Sequence, residues 1–388
     1  MIKINNKKEC CGCTACASVC AHKAITMQPD ELGFFYPVVD ETKCLNCGLC
    51  ERVCSFNDNY DTSTNLRIPI AYAARHKNME EVMKSRSGAS FVAISDYVLD
   101  HNGIVYGAGY KEHFVVAHKR ATTRTERDEF RGSKYVQSDL RGIYCLIKED
   151  LKAGHLVMFS GTPCQTAGLA SYIGKKASNN LILVDIVCHG VPSPYIWRDY
   201  ITYLENKHHS QVISVDFRNK IKYGWREHKD TIRFENGEED DSSWYSTEFH
   251  KLLYFRPSCG ICHFSNLKRP SDFTLGDFWG LEYQNADINK DNKGVSLLLI
   301  NSNKGLDIFE RIKDNLNLIE TTSEIYTKLN PNLRKPSWIH PKSKKFACDY
   351  AKKGFTYIYD HDYDKISLFH LWLRRAKKTI KQLLNRDR

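Results

Sequence analysis

The 388-residue chain lacks several features that would place it in a familiar class of protein. No apolar run approaches the roughly 18 residues that a transmembrane helix needs. The first residues, Met1 to Lys8, do not form the apolar core of a signal peptide. Neither a G-x-G-x-x-G fingerprint at a strand-to-helix turn nor a P-loop lysine motif occurs. These absences favour a cytoplasmic protein whose chemistry depends on other residues.

The net charge of +10 is not distributed like a nucleic-acid-binding surface. The last fifteen residues, Arg374 to Arg388, contain seven Lys/Arg and one Asp and so hold +6 of this charge. No basic patch with interleaved aromatic residues occurs outside this tail, which argues against a nucleic-acid partner.

The C-terminal tail also has an apolar stripe at helical spacing beside its basic face. The stripe consists of Phe369, Trp372, Leu373, Ala376, Ile380, Leu383 and Leu384. We expect it to pack on the protein itself. The alternative is a peripheral helix on an anionic membrane surface, at the inner face of the membrane.

What the chain does contain is cysteine, and eight of its fifteen cysteines repeat one spacing. C-x2-C-x2-C-x3-C occurs twice, which is the pattern of bacterial two-cluster ferredoxins. The first three thiolates of each run bind one [4Fe-4S] cluster, and the fourth binds the other. The predicted ligands are a first cysteine set of Cys10, Cys13, Cys16 and Cys54, and a second cysteine set of Cys44, Cys47, Cys50 and Cys20.

Zinc and disulfide bonds account less well for these cysteines. Structural zinc would use one C-x2-C pair in each half but would leave the third and fourth cysteines of each run unused. A disulfide framework is disfavoured because no signal peptide is visible and the chain is too large to need one. Ala21 and Ser55 replace the proline that commonly follows the fourth cysteine, and Cys11 is out of register and is interpreted as a bystander thiol. We expect a reduced iron–sulfur protein.

Most of the chain lies beyond the two cysteine runs, so an electron carrier alone would not need it. The polar stretch Asn57 to Asn65 indicates a linker. The sequence predicts an α+β protein with four parts. They are a ferredoxin-like module at residues 1–57, a linker at 58–68, a mixed α/β catalytic domain at 69–302 and an α-rich extension at 303–388.

The catalytic part alternates between β-rich apolar runs and helical segments, which predicts a largely parallel sheet whose ligands bind at the carboxyl ends of the strands. The predicted strands are Ile70 to Arg75, Ile104 to Tyr110, Phe114 to Arg120, Leu156 to Ser160 and Leu181 to Val187. The predicted helices are Gly88 to His101, Asp139 to Ala153, Pro163 to Ile173 and Pro194 to Lys207. Later strands near Val212 to Phe217, Thr231 to Glu235 and Val295 to Ile300 are expected to be antiparallel.

Two strand-to-helix junctions carry a cysteine each. Thr162 and Pro163 suit the cap and first position of a helix, which puts Cys164 in its first turn, where thiolate is favoured. Cys188 ends the next strand, and the pair Cys259 and Cys262 follows later. A single cysteine at a strand end is usually a small buried hydrophobe. A lone C-x2-C pair is as often a zinc or redox site as an iron–sulfur site.

Five ordered motifs resemble the coenzyme F420 hydrogenase/dehydrogenase β-subunit family, whose members include the plant 7-hydroxymethyl chlorophyll a reductase. The motifs are GSKYV at Gly132 to Val136, GTPCQTAGL at Gly161 to Leu169, DIVCHGVPSP at Asp185 to Pro194, CGIC at Cys259 to Cys262 and DFTLGDFWG at Asp272 to Gly280. The resemblance implies that the catalytic domain is a flavin domain with FAD and its own [4Fe-4S] cluster, the third in the chain. It implies a third cysteine set of Cys164, Cys188, Cys259 and Cys262 as the ligands.

The flavin site is likewise an expectation from the resemblance. We expect Ser87 and Gly88 to open a helix and to offer backbone N–H groups to a phosphate. The other predicted pocket residues are Lys134, Tyr135, Gly161, Thr162, Gln165 and His189. His189 is the predicted proton donor, and the alternative is that it only orients its loop.

Clusters pass single electrons whereas most organic reductions move two, and a flavin connects the two modes. We therefore expect an iron–sulfur flavoprotein oxidoreductase. It would transfer electrons between a ferredoxin-type carrier and an organic substrate or coenzyme F420 at FAD. The resemblance suggests surface-polysaccharide biosynthesis as its setting. The alternative is a non-catalytic electron-transfer subunit that relays electrons to a partner enzyme.

Overall fold

The computed structural model describes residues 1–56, 60, 62–174, 179–242, 244–284 and 287–363. In these ranges the chain is a mixed α/β protein in which a small cysteine-rich N-terminal segment precedes a large sheet. The apolar stripe predicted between Phe369 and Leu384 lies outside the described residues. Among the residues that are described, no helix combines the length and apolar character needed to cross a bilayer.

The strands of the described residues include the eight that were predicted and five that were not. They are β1 (Ile25–Pro29), β2 (Phe35–Val39), β3 (Asn65–His76), β4 (Ile104–Tyr110), β5 (Val116–Ala121), β6 (Val157–Gly161), β7 (Leu181–Ile186), β8 (Val212–Asp216), β9 (Thr231–Phe234), β10 (Glu239–Asp240), β11 (Phe273–Asp277), β12 (Ser296–Ser302) and β13 (Leu316–Glu320).

Helices separate many of these strands, and short 3-10 turns such as Pro257–Ile261 complete the connections. The helices are α1 (Ala15–Val19), α2 (Leu49–Arg52), α3 (Met79–Lys84), α4 (Ser90–Asp100), α5 (Arg124–Asp128), α6 (Ile143–Lys152), α7 (Pro163–Ile173), α8 (Pro194–His208), α9 (Lys220–Tyr223), α10 (Trp244–Lys251), α11 (Asn303–Ile312), α12 (Ser323–Tyr326) and α13 (Ser343–Asp360).

The large sheet has the order β13-β3-β12-β11-β7-β6-β4-β5, beside a β1-β2 hairpin and a small sheet β10-β9-β8. Strands β4, β6, β7 and β11 are mutually parallel, whereas β5, β12, β3 and β13 join by antiparallel pairs. The predicted parallel pairing is therefore confirmed for β4, β6 and β7 and wrong for β3 and β5. The later strands β8, β9 and β12 are antiparallel, as predicted. β3, the first strand of the large sheet in chain order, lies between the late strands β12 and β13. Pairing between residues so far apart cannot be predicted from local periodicity.

The central strands bury side chains on both faces, as strands do when helices cover both sides of a sheet. Val105, Met158 and Ile182 face a cluster that includes residues of α4 and α11. Their neighbours Val157 and Phe159 face the opposite cluster, which includes residues of α6 and α7. The cysteine-rich segment packs on this second side.

Two predicted boundaries differ from the observed elements. β3 begins at Asn65, inside the predicted linker, and the Asn65 side chain donates a hydrogen bond to the Arg269 carbonyl at 2.6 Å. At the other end, β13 pairs with β3, so the sheet continues beyond the boundary predicted at residue 302. The division of the chain into four parts stays a prediction.

The cysteine-rich segment and α7 meet at a glycine. A Cβ on Gly168 would lie 2.8 Å from both Cβ and Sγ of Cys13. We expect Gly168→Ala to lower the thermal unfolding midpoint under anaerobic conditions. Alanine is the better helix former by about 1 kcal/mol, but overpacking costs about 1–3 kcal/mol at a contact that holds the segment to the sheet. An unchanged or higher midpoint by circular dichroism would contradict this.

Candidate functional site

A cavity of about 580 Å³ lies at the carboxyl ends of the parallel strands. Its walls include Ala108 of β4, Gly161 of β6, Ile186 of β7 and Asp277 of β11. Ligands of open α/β sheets bind at this edge. The volume is within the roughly 300–1,000 Å³ typical of small-molecule and cofactor sites.

Seven of the eight predicted pocket residues line this cavity, and they are Ser87, Lys134, Tyr135, Gly161, Thr162, Gln165 and His189. Gly88 is the exception. Its N–H donates to Ser296 Oγ at 2.9 Å, and its carbonyl accepts from the His76 N–H at 2.8 Å. The prediction that Gly88 offers its N–H to a phosphate is therefore wrong, because Ser296 of β12 already accepts from that N–H. The helix begins two residues later, at Ser90.

Two predicted polar residues are fixed by a hydrogen-bond chain along the cavity wall. The Thr162 N–H donates to Gln165 Oε1 at 2.9 Å, and Gln165 Nε2 donates to Ser138 Oγ at 3.0 Å. Ser138 Oγ lies 2.9 Å from His118 Nδ1, and His118 Nε2 lies 2.9 Å from the Ser160 carbonyl oxygen. Burial lowers the pKa of His118 to about 4, so its ring is neutral at neutral pH. This wall is rigid and uncharged.

The predicted first cysteine set comes together in the structure. Burial raises the pKa of Cys54 to about 11, and the nearby Cys13 and Cys10 thiols act in the same direction. The last cysteine of the second run therefore lies beside the first run. Backbone N–H groups of Gly12 and Ala15 donate to Cys10 and Cys13. Hydrogen bonds to sulfur are among the features that tune iron–sulfur clusters.

The second cysteine set lines one small cavity of about 30 Å³ near the protein surface. The N–H of Ile2 donates to Cys50 Sγ at 3.2 Å, and the N–H of Asn46 donates to Cys44 Sγ at 3.4 Å. Cys47 is exposed. The two predicted sets thus occupy different depths, with the first set facing the protein interior.

The third cysteine set also converges, at the rim of the large cavity. Burial and the other three cysteines of the set raise the pKa of Cys188 well above its usual value. Burial raises the pKa of Cys259 to about 12. Gly190, with a φ of +112°, allows this approach, because a Cβ there would lie 2.8 Å from Phe255 and 3.1 Å from the Cys259 Cβ. Cys188 itself lines the cavity.

Cys164 differs from its three companions. The neighbouring Cys11 thiol lowers the pKa of Cys164 to about 7, and the hydroxyl of Thr162, whose Oγ1 lies 3.2 Å from Cys164 Sγ, acts in the same direction. Cys11 also contacts Cys13, so this out-of-register cysteine lies between the first and third sets. The two sets are therefore neighbours. Cys164 of the third set is part of α7, and Cys13 of the first set packs against Gly168 of the same helix.

Within the described ranges, no group of three or more His, Cys, Asp or Glu side chains converges on the position of a single metal ion. A [4Fe-4S] cluster distributes its four thiolates over four irons, so its ligands are spaced more widely than those of a mononuclear zinc site.

One region of the cavity is basic, and we call Arg86, Arg131 and Lys134 the basic end. Arg86 pairs with Asp216 at 2.7 Å, and Arg131 pairs with Glu81 at 2.6 Å. Burial lowers the pKa of Lys134 to about 7, and the Arg86 charge adds to the effect. The Lys134 ammonium donates to the carbonyl groups of residues 129, 131 and 132. The loop thereby holds it in the wall.

Buried polar atoms at this end lack partners. Arg131 Nη1 and Ser90 Oγ are buried, and neither has a hydrogen-bond partner among the described residues. Both residues line the cavity, and Ser90 is the first residue of α4. The N–H groups of a first helical turn have no partners within the helix. This constellation suits a buried anion, as phosphate groups at helix N-termini illustrate.

A second region carries three imidazoles, His189, His228 and His250, which we call the histidine wall. The rings of His228 and His250 lie 5.1 Å apart. Burial lowers the pKa of each ring, and the charge of Arg218 acts in the same direction on all three. The pKa of His228 falls to about 4. The wall is therefore uncharged at neutral pH. Arg218 is itself ion-paired with Asp277.

Sequence reasoning missed most of these charged and aromatic residues. His228 and His250 belong to no local motif, and Arg86 and Arg131 stand in stretches without a recognisable spacing. Asp277 was within reach, because it lies in the DFTLGDFWG motif at a strand end. Only the packing of α10, β11 and several loops around one cavity brings these side chains together.

Comparison with protein families identifies two segments of the chain. Residues 9–57 match the 4Fe-4S dicluster domain, and residues 154–324 match the family described as the C terminus of the coenzyme F420 hydrogenase/dehydrogenase beta subunit. The family expected from the motifs is confirmed. The dicluster domain contains the first and second cysteine sets, and the beta-subunit segment contains the third set and the histidine wall.

Among solved structures, one similar chain comes from the F420-reducing [NiFe] hydrogenase complex of Methanosarcina barkeri. It shares 17% sequence identity with a TM-score of 0.46, over 74% of this chain and 90% of that chain. No curated protein matches the sequence.

Proposed function

We propose that this chain is an iron–sulfur flavoprotein oxidoreductase that transfers electrons between a ferredoxin-type carrier and an organic substrate or deazaflavin such as coenzyme F420. One observation carries the proposal. The first cysteine set contacts the third set through Cys11, and Cys188 of the third set lines the large cavity. Candidate cluster ligands therefore extend from the dicluster domain to a cofactor-sized cavity without a break.

FAD is the cofactor we assign to the cavity. The unpartnered Arg131 Nη1 and Ser90 Oγ, with the rest of the basic end, suit its pyrophosphate. FAD would supply the conversion between single-electron and two-electron transfer. The resemblance alone supports the further suggestion of surface-polysaccharide biosynthesis.

The histidine wall is the proposed substrate side of the cavity. A neutral imidazole can donate one hydrogen bond and accept another. His189 follows Cys188 directly and faces the cavity, so it is suited to orient a substrate there. Because its pKa is lowered, His189 is mostly neutral at neutral pH. This favours the orienting role over that of a general acid.

The second cysteine set is the proposed contact for the external carrier. Cys47 is exposed, and Leu45 beside it is 69% exposed. Electron-transfer partners form small, transient interfaces, for which a limited apolar patch beside a redox group is sufficient.

The test is turnover by the isolated, anaerobically purified chain, with a reduced viologen dye as electron donor and coenzyme F420 or a quinone as acceptor. We expect about one FAD per chain, released by acid, and dye-linked reduction that is lost when FAD is removed and restored when FAD is returned. Absence of FAD after anaerobic purification and FAD supplementation would overturn the proposal.

A relay subunit is the second candidate, because residues 154–324 match a family described as a beta subunit. Such a subunit would contain the same cofactors and reduce a partner enzyme. Clusters and FAD that are reduced by the dye, with no turnover of any small-molecule acceptor, would favour this candidate.

The basic end predicts how FAD binding depends on pH. Lys134 has a pKa of about 7 in the protein without a bound anion, and a pyrophosphate beside it raises that pKa. Above pH 7 binding then takes up a proton, so we expect the FAD affinity to fall by up to about tenfold per pH unit until the raised pKa is reached. Below pH 7 Lys134 is protonated in both states and contributes no pH dependence.

Fluorescence titration of the apoprotein with FAD from pH 6 to pH 9 measures this dependence. Lys134→Met removes the titrating group and should flatten the curve while lowering the affinity at pH 6. An equal slope in the variant and the parent protein would rule out Lys134 as its source.

A further inference from the structure

Arg256 belongs to the beta-subunit segment and is almost completely buried against the dicluster domain, with 1% of its surface exposed. Its guanidinium donates to the Cys10 carbonyl at 2.8 Å, the Phe35 carbonyl at 2.9 Å and Gln137 Oε1 at 2.9 Å. It also lies 3.6 Å from Cys10 Sγ and 4.3 Å from the centre of the Tyr36 ring. The side chain is therefore fixed against one ligand of the first cysteine set.

Arg256 differs from other deeply buried arginines in its counter-ion. Two other arginines are as deeply buried, and each has a carboxylate partner: Arg127 pairs with Asp96 at 2.7 Å, and Arg269 pairs with Asp185 at 2.9 Å. Arg256 has no carboxylate within ion-pair distance in the described part of the chain. An unpaired buried charge is costly. The anionic group that faces this guanidinium is the set of cluster thiolates.

The charge acts on two cysteine sets. Arg256 lowers the thiol pKa of Cys10 in the first set and of Cys164 and Cys259 in the third, although burial outweighs its effect at Cys10 and Cys259. Gly12 leaves the space that this position needs, because a Cβ there would lie 2.8 Å from Arg256 Nη1. Arg256 thus lies where the dicluster domain faces the cavity side of the protein.

The second cysteine set has a different environment. Lys43, the lysine in its lining, is 64% exposed and pairs with Asp40 at 2.9 Å. Solvent screens an exposed charge much more than a buried one. Burial by itself would disfavour the more negative, reduced form of the first cluster, so an inner cluster without a cation would be the harder one to reduce.

We propose that Arg256 is a positioning residue for electron transfer, holding the reduction potential of the cluster on the first cysteine set above that of the cluster on the second set. One electron then passes inward, oxidising the outer cluster and reducing the inner one, with no bond made or broken. The proposal rests on the proposed function for its direction, since the outer cluster would be reduced by a ferredoxin-type carrier.

The first test uses the unmodified chain. In a dithionite titration followed by electron paramagnetic resonance, the first dicluster signal to appear should belong to the inner cluster. A water-soluble paramagnetic relaxation agent distinguishes the clusters, because it broadens the exposed one more. The Cys262→Ala variant, which disrupts the third set, identifies the dicluster signals. If the first of them to appear is the one the agent broadens, the proposal fails.

The second test changes the charge. Arg256→Gln should lower the potential of the inner cluster so that its equilibrium with the outer cluster shifts at least tenfold, about 59 mV for one electron. Arg256→Lys keeps the charge and should restore most of the shift. Arg127→Gln is the matched control, because Arg127 is equally buried but donates to residues of α4 and to no cysteine, and it should leave both potentials unchanged. An unshifted potential in Arg256→Gln would overturn the proposal. If that variant loses its clusters, the order of cluster reduction in the unmodified chain remains the test.

These measurements need neither FAD nor turnover. A chain without FAD that reduces its inner cluster first would refute the proposed function and support the role of Arg256. A catalytically active flavoprotein whose outer cluster is reduced first would do the reverse.

Discussion

Replacing Cys262 by alanine should lower the iron content of the anaerobically purified protein from about twelve to about eight irons per chain. Three cubanes of four irons each account for the larger figure, and the dicluster domain alone accounts for the smaller. Cys262 and its three companions are brought together only by the fold, with Cys188 at a strand end and Cys164 in the first turn of α7. Removing one thiolate leaves one iron of this cluster without its cysteine ligand, so we expect the cluster to be lost during purification.

Cys348→Ala is the control for this experiment. Cys348 is exposed and belongs to no cysteine set, so its loss should leave about twelve irons. Metal analysis by plasma emission with a parallel zinc measurement gives the result. Stoichiometric zinc in the parent chain, or equal iron in the parent and the Cys262→Ala variant, would refute the third cluster.

The second large effect is expected at the basic end. Arg131→Gln should weaken FAD binding about ten- to hundredfold, because a hydrogen bond to a charged group is worth about 1.5–3 kcal/mol. The Arg131 side chain is 6% exposed, and its Nη1 has no partner among the described residues. An anionic ligand would supply the missing hydrogen-bond acceptor. Titration of the apoprotein with FAD under argon measures the change, and iron content should stay constant.

Arg75→Gln is the matched control. The Arg75 side chain is also 6% exposed, pairs with Asp291 at 2.6 Å and contains an unpartnered nitrogen, yet it does not line the cavity. Its substitution should lower stability without changing FAD affinity. Equal FAD affinities in the two variants would show that the basic end does not hold the cofactor.

The elements around the cavity were predictable to different degrees. The strand before Cys164 and the helix after it follow from apolar runs and from the Thr162-Pro163 start, and both are found within a residue of the prediction. The structural role of Gly88 could not be predicted, because its N–H donates to Ser296, which is more than two hundred residues away in the chain. Local patterns report local structure, and this hydrogen bond depends on the pairing of β3 with β12.

The histidine wall illustrates the same limit. The pKa of His228 is set by burial together with the charges of Arg218 and Asp277 and the neighbouring ring of His250. These four residues come from segments that are separate in sequence. The lowered pKa values of His228 and His250 arise mainly from burial, and the burial of a histidine cannot be read from its neighbours in the sequence. The Arg256 contact with Cys10 is more distant still, joining positions that are 246 residues apart.

The sequence by itself determined the ferredoxin spacing, eight of the thirteen described strands and the motifs of the beta-subunit family, because each depends on residues close together in the chain. Only the tertiary structure decided that the sheet is mixed and that the third cysteine set lies next to the first. It also decided that Arg256 faces Cys10, a predicted cluster ligand, and has no carboxylate partner among the described residues. These features arise from long-range packing around a buried cavity, where the low dielectric makes an unpaired charge or an unpartnered donor significant.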